Sequence, residues 1–196
     1  MRKLVCALIA VAGMTAAHAG DLSYTYAEGG LGRVDLDSID TGDSYFVGGS
    51  LAIGTNWLGF AEYSMSSFDQ AGANADVDQL QIGLGGHFPM SDSVDFIGKL
   101  AYVDESVDAS ASIPGGGSVS ASADDNGYLL SAGVRGHVLE KLDLTGEVQY
   151  VDFGDSDDTG LALRGLYEFT DMFSLGARVG YSDDATAYGV FARFSF

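Results

Sequence analysis

Three carboxylates and five basic groups occupy positions from which one strand face would gather them: Glu28, Glu62 and Glu147, with Lys99, Arg135, Arg164, Arg178 and Arg193. Charges sharing a confined interior must pair and hydrogen-bond to be tolerated, which makes a salt-bridge network that fills a narrow space. The sharper alternative is a charged constriction in a small pore, because rings of charge select ions. Beyond residue 19 the histidines are His87 and His137. Both fall on the inward face near a short turn, without a third ligand for a metal centre. A Ser or Asp without a neighbouring base lacks activation as a nucleophile, so the residues argue against an enzyme. Acidic clusters form the remaining candidates: Asp35, Asp37, Asp40 and Asp43, then Asp124 with Asp125, then Asp155, Asp157 and Asp158. Clustered carboxylates are candidate ligands for divalent cations, Ca²⁺ or Mg²⁺. None fits the calcium-loop pattern, so solvated carboxylates on a polar rim are the plainer reading. No phosphate-cradling glycine motif is present, and nucleotide binding and cofactors have no support.

These groups need elements to position them, and the chain supplies strands. From 187 to 196 the residues alternate strictly: Tyr188, Val190, Ala192, Phe194 and Phe196 on one face, Gly189, Phe191, Arg193 and Ser195 on the other. Period-two alternation marks a strand with two different environments. Ten such segments are expected, at 22–33, 44–55, 58–68, 77–88, 94–104, 127–138, 142–153, 160–169, 173–182 and 187–196. Each is about 10 to 12 residues, enough at a tilt near 40° to cross the roughly 25 Å apolar band of an outer-membrane barrel. One face per strand carries no charge: Tyr45, Val47, Leu51 and Ile53 in the second, Leu80, Ile82 and Leu84 in the fourth, Leu161 and Leu163 in the eighth. The pattern of the first strand fits either orientation; Glu28 is placed inward, which takes Tyr24 and Tyr26 with it. A water-soluble sandwich would show the same alternation with its faces inverted. Strand length, loop rhythm, the N-terminal segment and the final aromatic residue decide for the membrane.

Connections are expected to alternate. Short turns at 55–57, 89–93, 139–141 and 170–172 read as periplasmic, with both termini beside them; the others read as longer, acidic extracellular loops. The longest, 105–126, is built of Ser, Ala, Gly and Asp around Pro114 and is expected to be an unstructured, mobile loop. Aromatic residues cluster at strand ends, as interfacial girdles do.

Composition sets the outer bounds. Arg2 and Lys3 precede an apolar run from Leu4 to Ala12, and Ala17-His18-Ala19 has the form of a cleavage site. Residues 1–19 are therefore expected to be a cleaved signal peptide, and 20–196 a single barrel domain. The lone cysteine, Cys6, goes with the signal, which removes disulfide and thiol chemistry. Loss of Arg2 and Lys3 leaves seven basic residues against 28 acidic ones, a net charge of −21. Nucleic acid is excluded as a partner, since phosphate contacts need Lys and Arg.

A terminal strand closing on Phe196 resembles the assembly signal of bacterial outer-membrane barrels. The whole pattern resembles the transmembrane domains of the OmpA and OmpX type. Locally, Ser23 to Gly30, Val77 to Gly85, and Gly127-Tyr128 leading to Ala132-Gly133-Val134-Arg135 resemble a family of small "Ax" outer-membrane proteins. The resemblance implies an all-β, antiparallel, up-and-down transmembrane β-barrel in the outer membrane. Ten strands are counted here; eight is the number usual for OmpX-type barrels. It also implies outer-membrane lipid, lipopolysaccharide and the barrel-assembly machinery as partners, and a role in envelope integrity and surface interaction. No catalytic residues carry over, and no surface ligand can be read from loops of Asp, Ser, Gly and Ala.

Overall fold

The computed structural model describes residues 25–36, 39–70, 72–91, 93–113, 115 and 117–196; the expected signal and its cleavage site lie outside them. Ten strands follow in order: β1 (Tyr26–Leu36), β2 (Ile39–Ile53), β3 (Trp57–Gln70), β4 (Ala73–Ser91), β5 (Val94–Ser112), β6 (Ser118–Leu139), β7 (Leu142–Asp152), β8 (Asp157–Thr170), β9 (Phe173–Tyr181) and β10 (Ala185–Ser195). Each pairs antiparallel with its sequence neighbours. β10 returns to β1 with Tyr26 opposite Ser195 and Leu36 opposite Ala185, so the sheet closes into an up-and-down barrel. Closure leaves no edge within the barrel wall, the condition for a sheet to sit in hydrocarbon.

The side-chain distribution is inverted relative to a water-soluble protein. Leu51, Leu84 and Val47 are 64%, 60% and 60% exposed, while Arg135 and Arg193 are 2% and 1% exposed. A continuous belt of large apolar side chains over the outer surface is far beyond the patch a soluble monomer carries. At one end of the belt Trp57 meets Phe88 edge-on at 6.2 Å, and Phe194 meets Phe196 at 5.1 Å. At the other, outward tyrosine hydroxyls donate to aspartates: Tyr63 to Asp78 at 2.7 Å, Tyr102 to Asp104 at 3.2 Å, Tyr128 to Asp152 at 2.8 Å. Aromatic rings at both borders define the band.

The two ends of the barrel differ. At the terminus end, register shifts at Pro89/Ser91, His137/Leu139 and Glu168/Thr170 mark bulges beside three short turns. At the opposite end β3, β4, β5 and β6 continue past the aspartates. The expectation of a mobile loop over 105–126 is overturned: Tyr102 opposite Tyr128 leads to Ser112 opposite Ser118 without a break. On its other side β5 pairs with β4 up to Ala73 opposite Ala111. Loop composition fails here because a ladder pairs backbone groups whatever the side chains are, and the alternating Val, Ala and Ser residues suit both faces. Asp35, Asp40, Asp43, Asp124, Asp125, Asp157 and Asp158, read as loop residues, likewise lie in strands. Asp37 lies outside the described residues. The β3–β4 hairpin needs only two linking residues, and Gly72 takes a φ of 85°, the left-handed value such a turn demands.

Candidate functional site: a cross-braced lumen

Strand parity brings the eight charged residues singled out above into one interior, where all are buried. Glu28 on β1 lies opposite Arg193 on β10, whose Nε and Nη2 donate to its Oε2 at 2.9 and 2.8 Å. Arg164, two strands further round on β8, donates to the same oxygen. Glu62 on β3 accepts from Arg178 Nη1 on β9 at 3.3 Å. These two strands stand four steps apart in a ring of ten, so this pair crosses the lumen. Lys99 Nζ donates to both carboxylate oxygens of Glu147, at 2.7 and 2.8 Å, and Ser131 Oγ donates to the second at 3.1 Å. Arg135 pairs with Asp143.

The guanidinium groups are also stacked. Arg178 lies 3.4 Å from the ring centre of Phe46, Arg193 3.7 Å from Tyr26, and Arg164 3.9 Å from Phe191. A planar cation between a carboxylate and an aromatic face is held from two sides, which lysine cannot reproduce. Small residues make the room: a Cβ on Gly30 would meet Phe46 Cε1 at 2.5 Å, and one on Gly83 would meet Phe60 Cζ at 2.7 Å.

Apolar side chains fill the space between and above the ion pairs. Phe46, Leu166 and Phe191 join β2, β8 and β10 across the lumen. Leu58 and Phe60 of β3 reach Val103, Leu129 and Val151 of β5, β6 and β7. At the projecting end Val34, Leu36, Phe68, Val77, Ala185 and Ala187 pack together, with Ala75 and Val107 against them.

Residue reading missed three acidic members of the interior. Asp95 and Asp143 share parity with Lys99 and Glu147, four positions along their strands, and both are buried at the terminus end. Asp143 partners His137 as well as Arg135, and His87 Nδ1 lies 3.9 Å from Asp95 Oδ2. Glu105, read as the start of a loop, is the third. It lies past the outward Asp104, in the projecting part of β5, and accepts from Gln79 Nε2 at 2.9 Å. Gln81 in turn donates to Gln79 at 2.9 Å. Burial pushes the Glu105 carboxyl up to about 8, against the opposing pull of the Gln79 hydrogen bond. The signal for all three was parity with a charged neighbour on the same face.

Phe196 caps the closing strand: its N–H donates to Thr25 O at 3.0 Å, across the β1–β10 seam. Among the described residues no group of three or more His, Cys, Asp or Glu side chains is arranged to hold a metal ion.

The family model described as "Outer membrane protein beta-barrel domain" matches residues 4–163. Among solved structures, the chain is similar to the β domain of the Bordetella autotransporter BrkA, at 12% identity over 90% of this chain and 100% of that one, with a TM-score of 0.58. It is similar to the translocator domain of the autotransporter NalP from Neisseria meningitidis, at 15% identity, covering 91% of this chain and 90% of that one, with a TM-score of 0.57. For the NanC porin the figures are 10%, 88%, 100% and 0.51. These likenesses concern the fold alone. No curated protein matches the sequence.

Proposed function

Because the chain belongs to the outer membrane protein β-barrel domain family, we propose that it is a non-enzymatic integral barrel that keeps its lumen shut and acts through the sheet it projects outward. In this reading residues 1–19 direct export and are removed. The terminus end faces the periplasm, and the projecting end faces the medium. Its lipid-facing belt meets outer-membrane lipid and lipopolysaccharide, the barrel-assembly machinery recognises the closing strand at Phe196, and the role is envelope integrity with surface interaction.

The single observation carrying the reading is the Glu62–Arg178 pair, which crosses the lumen between strands four steps apart. A ten-stranded barrel encloses little more than an eight-stranded one, whose interior side chains fill. Long side chains tethered across such a space exclude a water column. The histidines support the absence of catalysis: both stand at the terminus end beside carboxylates, away from the outer rim where a substrate of the surface would arrive.

Planar-bilayer recording from the purified, unmodified protein at neutral pH tests this. The expected trace shows no steady current. A stable, ion-selective single-channel conductance would overturn the closed lumen and make the barrel a narrow pore.

A further inference from the structure

On its β6 side the sheet that rises beyond the membrane band has a long open edge. β7 ends opposite β6 at the pair Asp152–Tyr128, while β6 begins ten residues earlier, at Ser118. Over that stretch β6 is paired with β5 alone. The phase of its hydrogen bonds follows from the hairpin, where Ile113 N–H donates to Gly117 O at 2.9 Å. Bonded pairs alternate along an antiparallel ladder. Val119, Ala121, Ala123 and Asp125 therefore direct their backbone groups to β5. Ser118, Ser120, Ser122, Asp124 and Asn126 direct theirs to the open side. The Asn126 N–H is met there by Asp125 Oδ1 at 2.8 Å. Among the described residues, Ser118 to Asp124 have no such cover, and every one of them is exposed.

Proteins usually blunt such an edge with Lys, Pro, a bulge or a short strand. From Ser118 to Asp124 there is no Lys and no Pro, and the register to β5 runs without a shift. The faces on either side of the edge differ in chemistry. On one, Asp76 stands opposite Asp108 in the row that ends at Ser122, and Asp78 lies in the row that ends at Asp124. Like charges opposed across strands repel. The other face is a shallow groove of about 310 Å³ whose lining includes Phe68, Ala75, Ala109, Ala111 and Val119.

We propose that the Ser118–Asp124 edge of β6 captures an extended basic segment of another polypeptide as an added strand. Main-chain hydrogen bonds to Ser118, Ser120, Ser122 and Asp124 supply the attachment, as in other strand-addition complexes. Alternation supplies the selection: residues beside Ser122 and Asp124 carry Lys or Arg over the aspartates, and the residues between them place apolar side chains on the groove. A second copy of this acidic chain, with a formal net charge of −19, is the wrong occupant. This inference rests on the proposed orientation, with the projecting sheet in the medium.

The test uses the full barrel in nanodiscs and a short synthetic peptide alternating Lys and Val. Expected are saturable binding weakened by salt, and slowed amide exchange at Ser120, Ser122 and Asp124 with little change at Ala121 and Ala123. Ser122→Pro removes one outward N–H without touching the β5 ladder and is expected to weaken binding about tenfold or more. On the unmodified protein, N-methylation of every second peptide residue should abolish binding. Absence of binding, equal binding of the methylated peptide or of a Glu–Val peptide, or self-association through this edge would each overturn the proposal. A barrel that conducts yet protects these amides would leave the strand-capture assignment standing and remove only the closed lumen.

Discussion

A buried carboxylate shared by two guanidinium groups has consequences that separate it from ion pairs at the surface. Glu28 accepts from Arg193 and Arg164 together, with all three side chains nearly inaccessible. Arg33 and Asp43, by contrast, meet at 3.3 Å with side chains 59% and 62% exposed. Removing one partner of a buried pair leaves an uncompensated charge and costs about 3–5 kcal/mol; an exposed pair is worth about 0–1 kcal/mol. Glu28→Gln is accordingly expected to lower the urea midpoint for unfolding from lipid vesicles sharply, and Arg33→Gln hardly at all. Equal shifts would mean that solvent reaches the Glu28 site. The pattern of β1 fitted either orientation, and Glu28 was placed inward for its charge, a placement its burial bears out. Its partners were not legible, because a link between residues 28 and 164 is a property of closure, which no local pattern encodes. The same limit left Asp95 and Asp143 unnoticed: their parity with Lys99 and Glu147 was readable, but nothing nearby in the chain showed that they faced a cation.

At the scale of the strand, period-two alternation carried nearly everything that lies within the membrane band. There each residue faces either lipid or a packed lumen, so the two faces differ strongly and the sequence records it. In β8 Leu161 and Leu163 are exposed while Ala162 and Arg164 are buried. Above the band both faces tolerate Ser, Ala and Asp, the alternation weakens, and the continuation of β5 and β6 read as coil. Hydrophobic contrast therefore fixed where strands cross the membrane but not where they end. The depth of the band can be tested along one strand. Leu163 faces outward near the middle of β8, and Thr159 faces outward near its projecting end. Leu163→Arg should cost about 2–4 kcal/mol of folding free energy in bilayers, and Thr159→Arg about 0–1 kcal/mol. Comparable costs at the two sites would place the band elsewhere on the strand.

For the whole molecule, closure is arranged as layers in series. The Glu62–Arg178 tether crosses the middle of the lumen. The apolar cluster of Val34, Leu36, Phe68 and Val77, with Ala185 and Ala187, stands between that layer and the projecting end. A conducting path must open both, because resistances in series are set by the larger. Lys99, not an arginine, is the partner of Glu147, and Ser131 holds the same carboxylate, so neutralising Glu147 frees no guanidinium. Neutralising Glu62 does free one, but Arg178 remains stacked on Phe46 at 3.4 Å. Glu62→Ala alone is therefore expected to give no steady current in planar bilayers. Phe68→Ala with Val77→Ala opens only the apolar layer and should also be silent, while retaining the heat-resistant mobility of a folded barrel on gels. Combining the three substitutions removes both barriers, and intermittent single-channel openings are expected. Conduction by Glu62→Ala alone would show that the apolar cluster is not a seal. Silence of a folded triple variant would place the seal in the Phe46, Leu166 and Phe191 layer instead, where it could be sought with Phe191→Ala.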